Sequence, residues 1–514
     1  MASTRKRTIG GYRFARFTGQ PHTGIVEIGL PQLVTIHLQA VDTAPGRLLV
    51  EKGETVAAGQ IIARDDESVG NPVLATVNGT VEEIRKQPNP AVKIRSDGTD
   101  SWKPVEDYAA EWKKLKPAML EKLVYLSGAS GCVAGGIPTR FNSAAIAPKE
   151  VEHILLQMVP AEVFNPSVSA ILAGRELTQV AEGLAILAKI MPKAGLHLVG
   201  GKRQKTLLQQ VQTACIQYEL ERVHLHTVDN KYPNNRAEIL IPTVLGREYA
   251  HGFSALNQGV LVIDLQALLL VRDAVATGKP AIERIVALAG QGFSERPHVR
   301  VRIGTPLEQV MDKYLDRRGP QRIVRNSLLT GEMLDDAAVD PLLATVIAVP
   351  EELQGPPMPF SRPGFRTDSY SRTFVASFVP FTKTIDTNIH GEHRPCIACT
   401  FCDSVCPAGI LPHLLHRYVQ RGLIDEVLVR YRIFDCIDCN LCTYVCTSKI
   451  PLAQLLREGK EKLKAEGLDP RLEEARSKGL KGIPGTAGGA EPGVRAAGVR
   501  AAGVRAAGVR GTGE

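Results

Sequence analysis

At 514 residues, with 44% apolar, 23% charged and only 5% aromatic residues, the chain is long enough for three or four globular domains. Its formal charge of +8 sits at the ends: Arg5, Lys6, Arg7, Arg13 and Arg16 stand without an acid in residues 1–16, Gly493–Arg510 adds four arginines, and the remainder sums to −1. That balance excludes a nucleic-acid-binding body, and the absence of an uncharged apolar run of about 18 residues excludes a membrane-spanning helix. The first residues lack the apolar core of a signal peptide, so the expectation is a cytoplasmic protein with reduced thiols.

From Gly46 to Ile94, short alternating runs are broken by Gly53, Gly59 and Gly79, the pattern of half-buried strands joined by tight turns. The stretch is similar to the lipoyl-like barrel-sandwich fold. The expected hairpin tip, Arg64-Asp65-Asp66-Glu67-Ser68, lacks the lysine of a swinging arm, so a docking scaffold is expected over residues 20–100. Between Ala118 and Val228, strand and helix signals alternate, which predicts a parallel α/β sheet. The glycine-rich stretch Gly128–Thr139 near its start could turn backbone N–H groups toward a phosphate, although it does not fit G-x-G-x-x-G.

His224 and His226 alternate along one strand and share a face; satisfied or exposed histidines are the commoner outcome of such a pair. Cys132 and Cys215 read as ordinary thiols. Residues 236–315 read as a second, strand-rich domain built from Ala237–Leu245, Val260–Ile263, Ile282–Leu288 and Val299–Ile303, with a helix over Leu265–Ala276. Residues 316–385 read as linker and extension. The region beyond 480, with Gly-Val-Arg-Ala-Ala repeated at a period of five, reads as disordered.

The most informative stretch is Cys396-Ile-Ala-Cys399-Thr-Phe-Cys402-Asp-Ser-Val-Cys406, repeated as Cys436-Ile-Asp-Cys439-Asn-Leu-Cys442-Thr-Tyr-Val-Cys446. Two copies of C-x2-C-x2-C-x3-C use eight of the ten cysteines. Such a run supplies three thiolates to one cubane [4Fe–4S] cluster, and its last cysteine serves the other. The assignment is Cys396, Cys399, Cys402 and Cys446 for one cluster, and Cys436, Cys439, Cys442 and Cys406 for the second. Zinc commonly takes CxxC pairs with a longer insert and does not need three cysteines within seven residues. Thr447 stands where proline follows the first run. Leu411, Leu414, Leu415, Tyr418 and Val419, and later Leu452, Leu455, Leu456 and Leu463, have helical spacing and predict packing around the clusters.

With these segments in order, residues 20–465 resemble the C subunit of the Rnf electron-transport complex, most specifically at Tyr232–Glu238, Arg300–Pro306 and the cysteine runs. The middle segments also resemble the A subunit of Na⁺-translocating NADH:quinone reductase, through Phe164-Asn165-Pro166, Arg284–Gly290, Ser327–Gly331, Val379-Pro380-Phe381 and Asp386-Thr387-Asn388. The resemblance implies a multidomain α/β and α+β fold. Its parts are a barrel-sandwich hybrid (20–100), an α/β domain with a degenerate flavin loop (118–235), a β-grasp (SLBB-like) domain (236–315) and a helical two-cluster ferredoxin-like module (386–465).

It also implies a peripheral iron–sulfur electron-transfer subunit on the inner face of the cell membrane, partnered by membrane-embedded and flavin or iron–sulfur subunits. NADH, ferredoxin or quinone are possible redox partners. FMN would lie at Gly131, Gly135, Gly136 and Thr139, making the chain an NADH dehydrogenase subunit. The displaced glycines, Ile137 in place of phenylalanine, and Val163–Pro166 in place of an acidic Glu-Cys-Glu-Pro segment favour a state without FMN or NADH. A non-catalytic adaptor docking ferredoxin or quinone is the third reading.

Overall fold

The structure, a computed structural model, describes the backbone of residues 4–6 and residues 8–14, 16–38, 48–64, 70–86, 89–142, 146–334, 337–351, 369–371, 381–387 and 392–470. The hairpin tip at 65–68, the proline-rich stretch at 353–368, Val379-Pro380 and the repeat tail lie outside the described residues.

A five-stranded parallel sheet forms the centre, in the order Thr4–Lys6, Val223–Val228, Gly195–Gly201, His153–Met158, Val260–Asp264. Alternation along each strand divides its apolar side chains between two faces. Ile154, Leu156, Leu196, Leu198, Leu225 and Ile263 join the core formed with helices Pro117–Leu126, Leu177–Ile190, Lys205–Cys215 and Leu265–Thr277. Leu155, Val199, Val228 and Val260 pack on the other face with Leu240, Ile241 and Val244.

Those last three belong to helix Ala237–Leu245, which corrects the strand expected there. A nine-residue apolar run has no decisive period; what ends it as a helix is Gly246 at φ 70°, whose N–H bonds Pro242 O at 3.0 Å. Val260–Asp264 likewise belongs to the parallel sheet rather than to the later strand-rich domain. Asp264 then caps the following helix, its Oδ1 accepting from Ala267 N at 2.8 Å, and Gly278 closes it at φ 72°.

A second five-stranded sheet has the order Gln321–Arg325, Thr345–Pro350, Glu283–Ala289, His298–Arg302, Ile25–Glu27. Two of its strands come from the segment expected to be a linker, and one comes from the N-terminal region. Gln-Arg-Ile-Val-Arg and Thr-Val-Ile-Ala-Val-Pro are rich in β-branched residues and pair antiparallel, so their propensity outweighs the prolines that follow. The smaller module pairs Leu33–His37, Ala91–Ser96, Gly79–Arg85 and Thr55–Val56 around Val34, Ile36, Val56, Val92 and Ile94. Its Gly79 has no room for a side chain, because a Cβ there would collide with Arg95 O. Thr76 Oγ1 donates to Ile303 O at 2.6 Å in a buried bond that ties this module to the rest.

The last described unit is helical: Phe401–Val405, Pro412–Gln420, Glu426–Arg430, Leu441–Val445 and Leu452–Ala465. The expected apolar faces are buried at Leu415, Val419, Leu452, Leu456 and Leu463, whereas Leu411 is exposed.

Candidate metal centre

The two cysteine runs fold into near copies of each other, forty residues apart. Ala398 and Asp438 have φ of 54° and 53°, and Thr400 and Asn440 have φ of 58° and 64°. A non-glycine residue in the left-handed region is costly and persists only where the surroundings dictate it. Finding it at the same two positions of both loops shows that the turn, rather than the side chain, is the constraint. Each loop runs into a one-turn helix, Phe401–Val405 or Leu441–Val445, and then to Cys406 (φ −63°, ψ 116°) or Cys446 (φ −67°, ψ 114°). A side chain three residues before that cysteine then receives the next helix: Asp403 Oδ1 accepts from His413 N at 3.4 Å, and Thr443 Oγ1 from Ala453 N at 3.0 Å.

The fold brings the eight cysteines together in two groups. Cys396, Cys399, Cys402 and Cys446 line one small cavity with His413 and His416. Cys406 lies instead with Cys436, Cys439 and Cys442, close enough for its charge to act on all three. Among the described residues no three His, Cys, Asp or Glu side chains converge on a point as one bound ion requires. A cubane takes its thiolates on separate iron corners, so its ligands surround a volume rather than a point.

The chemistry of this donor set fits such a group. Burial pushes Cys402 and Cys439 up to about 12 and Cys436 up to about 11, with Lys460 opposing the rise at Cys436. Thiols this hard to ionise become thiolates when a cation binds them. Backbone N–H groups are already aimed at sulfur: Ala398 N lies 3.4 Å from Cys396 Sγ, and the amides of Ala408, Gly409 and Ile410 bond Cys406.

The second loop is fastened to the body. Tyr232, fully buried, donates its hydroxyl to Cys439 O at 2.9 Å, and Asn440 Nδ2 donates to Leu329 O at 2.8 Å. The N-terminal segment crosses the junction: Gly11 N bonds Val405 O and Tyr12 N bonds Tyr232 O, both at 2.9 Å. Gly10 has φ 54°, and a Cβ there would collide with Cys406 O, so the crossing needs glycine. Tyr12 and Phe14 pack their rings on Tyr444 at 5.6 and 5.4 Å, and Phe14 also meets Tyr232 at 5.9 Å. Buried Lys460 pairs with Asp438 at 2.5 Å and donates to Cys436 O at 3.1 Å; the equivalent position in the first half is Gln420.

The glycine loop is knitted to itself. Ser130 Oγ accepts from Ile137 N at 2.9 Å, and Asn142 reaches Ile137 O at 2.8 Å and accepts from Thr139 N at 3.0 Å. Gly135 and Gly136 are left-handed at φ 82° and 76°, Gly131 is not, and Thr139 is buried. Ile137 is fully buried in the α/β core, which explains its apolar character.

Sequence reasoning missed three features. His224 and His226 belong to a larger group, in which His153 Nδ1 lies 3.0 Å from His197 Nε2 and His197 Nδ1 lies 2.9 Å from His226 Nε2. Neighbouring strands alone bring them together, and burial followed by the adjacent rings holds His197 down to about 3. Glu162 is raised to about 7 by burial and accepts from Ser327 Oγ at 2.9 Å, beside the Tyr232–Arg236 turn. Lys460 was the third; a lysine three residues before the buried Leu463, on an apolar helix face, was its only signal. Cys132 and Cys215 are buried, and burial raises both thiols, Cys215 to about 12.

Comparison with known proteins agrees with this architecture. Residues 17–97 match the family described as the RnfC barrel sandwich hybrid domain. The C subunit of the ion-translocating oxidoreductase complex of Pseudomonas aeruginosa is 30% identical over 82% of this chain and 51% of its own length. The C subunit of the proton-translocating ferredoxin:NAD(+) oxidoreductase complex of Clostridium ljungdahlii is 25% identical over 85% of this chain and 90% of its own. The chain thus spans about half of the first relative and most of the second. A solved NAD+-reducing [NiFe]-hydrogenase aligns with 73% of this chain and 65% of its own at a TM-score of 0.39 and 14% identity, a likeness too distant to bear on function. Among the described residues no helix is long and apolar enough to cross a membrane. With its barrel-sandwich module matched and more than four-fifths of its length similar, this chain resembles the C subunits of the Rnf-type ion-translocating oxidoreductase complexes.

Proposed function

We propose that the chain is an iron–sulfur electron-transfer subunit of such a complex, peripheral to the membrane and partnered by its other subunits. The observation that carries this reading is the crossed grouping of cysteines: Cys446 joins the first run's cavity, and Cys406 joins the second run's thiols. Two [4Fe–4S] clusters held there would supply one-electron carriers at short range. The chain's own part is to position and insulate them. The one-turn helices and the Leu415, Val419, Leu456 and Leu463 faces exclude water, the loop amides donate to sulfur, and Lys460 places a fixed positive charge beside the second group.

The self-bonded loop disfavours an FMN cradle, since the N–H groups of Gly131, Gly136 and Thr139 already donate to Gly128 O, Val133 O and Asn142 Oδ1. Anaerobic purification followed by iron, sulfide and flavin counts tests the proposal. About eight iron and eight sulfide per chain, with two reduced-state EPR signals, are expected. Far fewer would sink it, and stoichiometric flavin would restore the dehydrogenase reading.

A further inference from the structure

The segment Ser327–Thr330 does more than fasten the second cysteine loop. Just past strand His153–Met158, the Glu162 carboxylate lies among groups that also touch that loop. Its Oε2 accepts from Ser327 Oγ at 2.9 Å, and the Asn235 side chain bonds it as well. Two residues beyond Ser327, Leu329 O accepts from Asn440 Nδ2 at 2.8 Å. Thr330 bonds the Tyr232 hydroxyl, which itself donates to Cys439 O at 2.9 Å.

These bonds fix how far apart the carboxylate and the loop can be. Two residues of chain reach at most about 7 Å, which with the bonds at each end puts the carboxylate on the order of 12 Å from the loop. Arg236 joins the two from another side, since its charge acts on both Glu162 and Cys439. Among the described residues, Arg236 and Tyr232 are the ionisable groups facing the carboxylate; Ser327 and Asn235 are neutral. Arg236 is also shared with Glu238, at 3.1 Å. A carboxylate short of water and with only a shared cation is poised between its two forms, and burial raises it to about 7.

We infer that Glu162 takes up a proton when the cluster held by Cys406, Cys436, Cys439 and Cys442 is reduced. The inference rests on the two-cluster reading above. One electron enters from a one-electron donor, and one proton passes from solvent to the Glu162 carboxylate. An O–H bond forms there, no other bond forms or breaks, and the net charge of the site is unchanged. An added negative charge at about 12 Å, in an effective dielectric of about 20, strengthens proton binding about tenfold. The reduced state therefore keeps its proton to higher pH, and the midpoint potential falls as pH rises through about 7.

The test uses the full chain, anaerobic and with its iron counted, titrated with dithionite between about pH 5 and 10. EPR follows the signal lost in Cys439→Ser. Its midpoint should fall by about 59 mV from the acid to the alkaline limit, the tenfold change converted for one electron. Glu162→Gln, whose amide stands in for the protonated acid, should hold that midpoint near the acid limit at every pH. Ser327→Ala removes a donor to the charged form, so the fall should persist and move to higher pH. Redox-difference infrared spectra near neutral pH read the proton itself. A protonated-carboxyl C=O band should grow on reduction of wild type and be missing in Glu162→Gln.

A wild-type midpoint that ignores pH, a fall that survives in Glu162→Gln, or no carboxyl band overturns the proton uptake while the iron–sulfur function stands. Protein lacking iron removes both.

Discussion

Tyr232→Phe isolates one atom at the junction between the cysteine module and the α/β body. The ring is fully buried among Cys402, Cys439, Leu441 and Cys442, so phenylalanine keeps the packing and removes only the hydroxyl. That hydroxyl donates to Cys439 O at 2.9 Å and also engages Thr330. A buried carbonyl left without its donor costs about 1–3 kcal/mol, more than the net 0.5–1.5 kcal/mol of an ordinary exchanged hydrogen bond. The population in which the second loop lifts off the body should therefore rise roughly 5- to 150-fold. Native-state amide exchange of Cys439–Thr443 reads this opening, measured anaerobically on iron-loaded protein with strand Leu33–His37 as an internal reference. Faster exchange confined to the loop and to Tyr12–Phe14 is expected. Exchange at Cys439–Thr443 within twofold of wild type would refute the claim that this bond fastens the loop.

Four further outcomes follow from the site and its surroundings. Cys446→Ser should abolish the same EPR signal as Cys399→Ser, and Cys406→Ser the same signal as Cys439→Ser; pairing by run instead would refute the crossed grouping. Lys460→Met should lower the reduction potential of the second group and Asp438→Asn should raise it, each by roughly tenfold in the reduced-to-oxidised ratio, or about 59 mV for one electron. Shifts of the same sign in both variants would show a merely structural role.

His197 is held down to about 3 from 6.5, so the unfolded chain binds that proton more tightly. Its contribution to stability is whole above about pH 6.5 and is lost as pH falls toward 3. Urea unfolding of His197→Leu should show a shallower acid loss than wild type, and an identical slope would count against the buried cluster. Glu162, raised to about 7 from 4.5, has the opposite sign: its contribution is whole below pH 4.5 and fades as pH rises through 7. Glu162→Gln should flatten stability between pH 5 and 8, as read by the same unfolding assay.

What was legible in the chain was whatever repeats or alternates locally. The cysteine spacing made the repeat of the two loops legible, because a C-x2-C-x2-C turn is a local device whose left-handed residues recur at 398/438 and 400/440. The parallel sheet was readable from alternating strands and helices, and the helix over 265–276 from Gly278 just beyond it, whereas its Asp264 cap was not. Long-range partners were hidden. Nothing local in Ile25–Glu27 says that it edges a sheet with His298–Arg302, and nothing in His153 or His197 says that register will stack them beside His226. Ala237–Leu245 misled because a short apolar run satisfies strand and helix alike until Gly246 ends it.

The segment from Gly10 to Thr18 has a consequence for biosynthesis. Thr18 bonds Lys383 O across 365 positions, and Gly11 reaches Val405, so this segment is completed by residues made far later. The ribosome must release those later residues before this strap finds its seat, which makes the closure a late event of high contact order. Until then the second cysteine loop lacks its cover, and its thiols stay open to solvent.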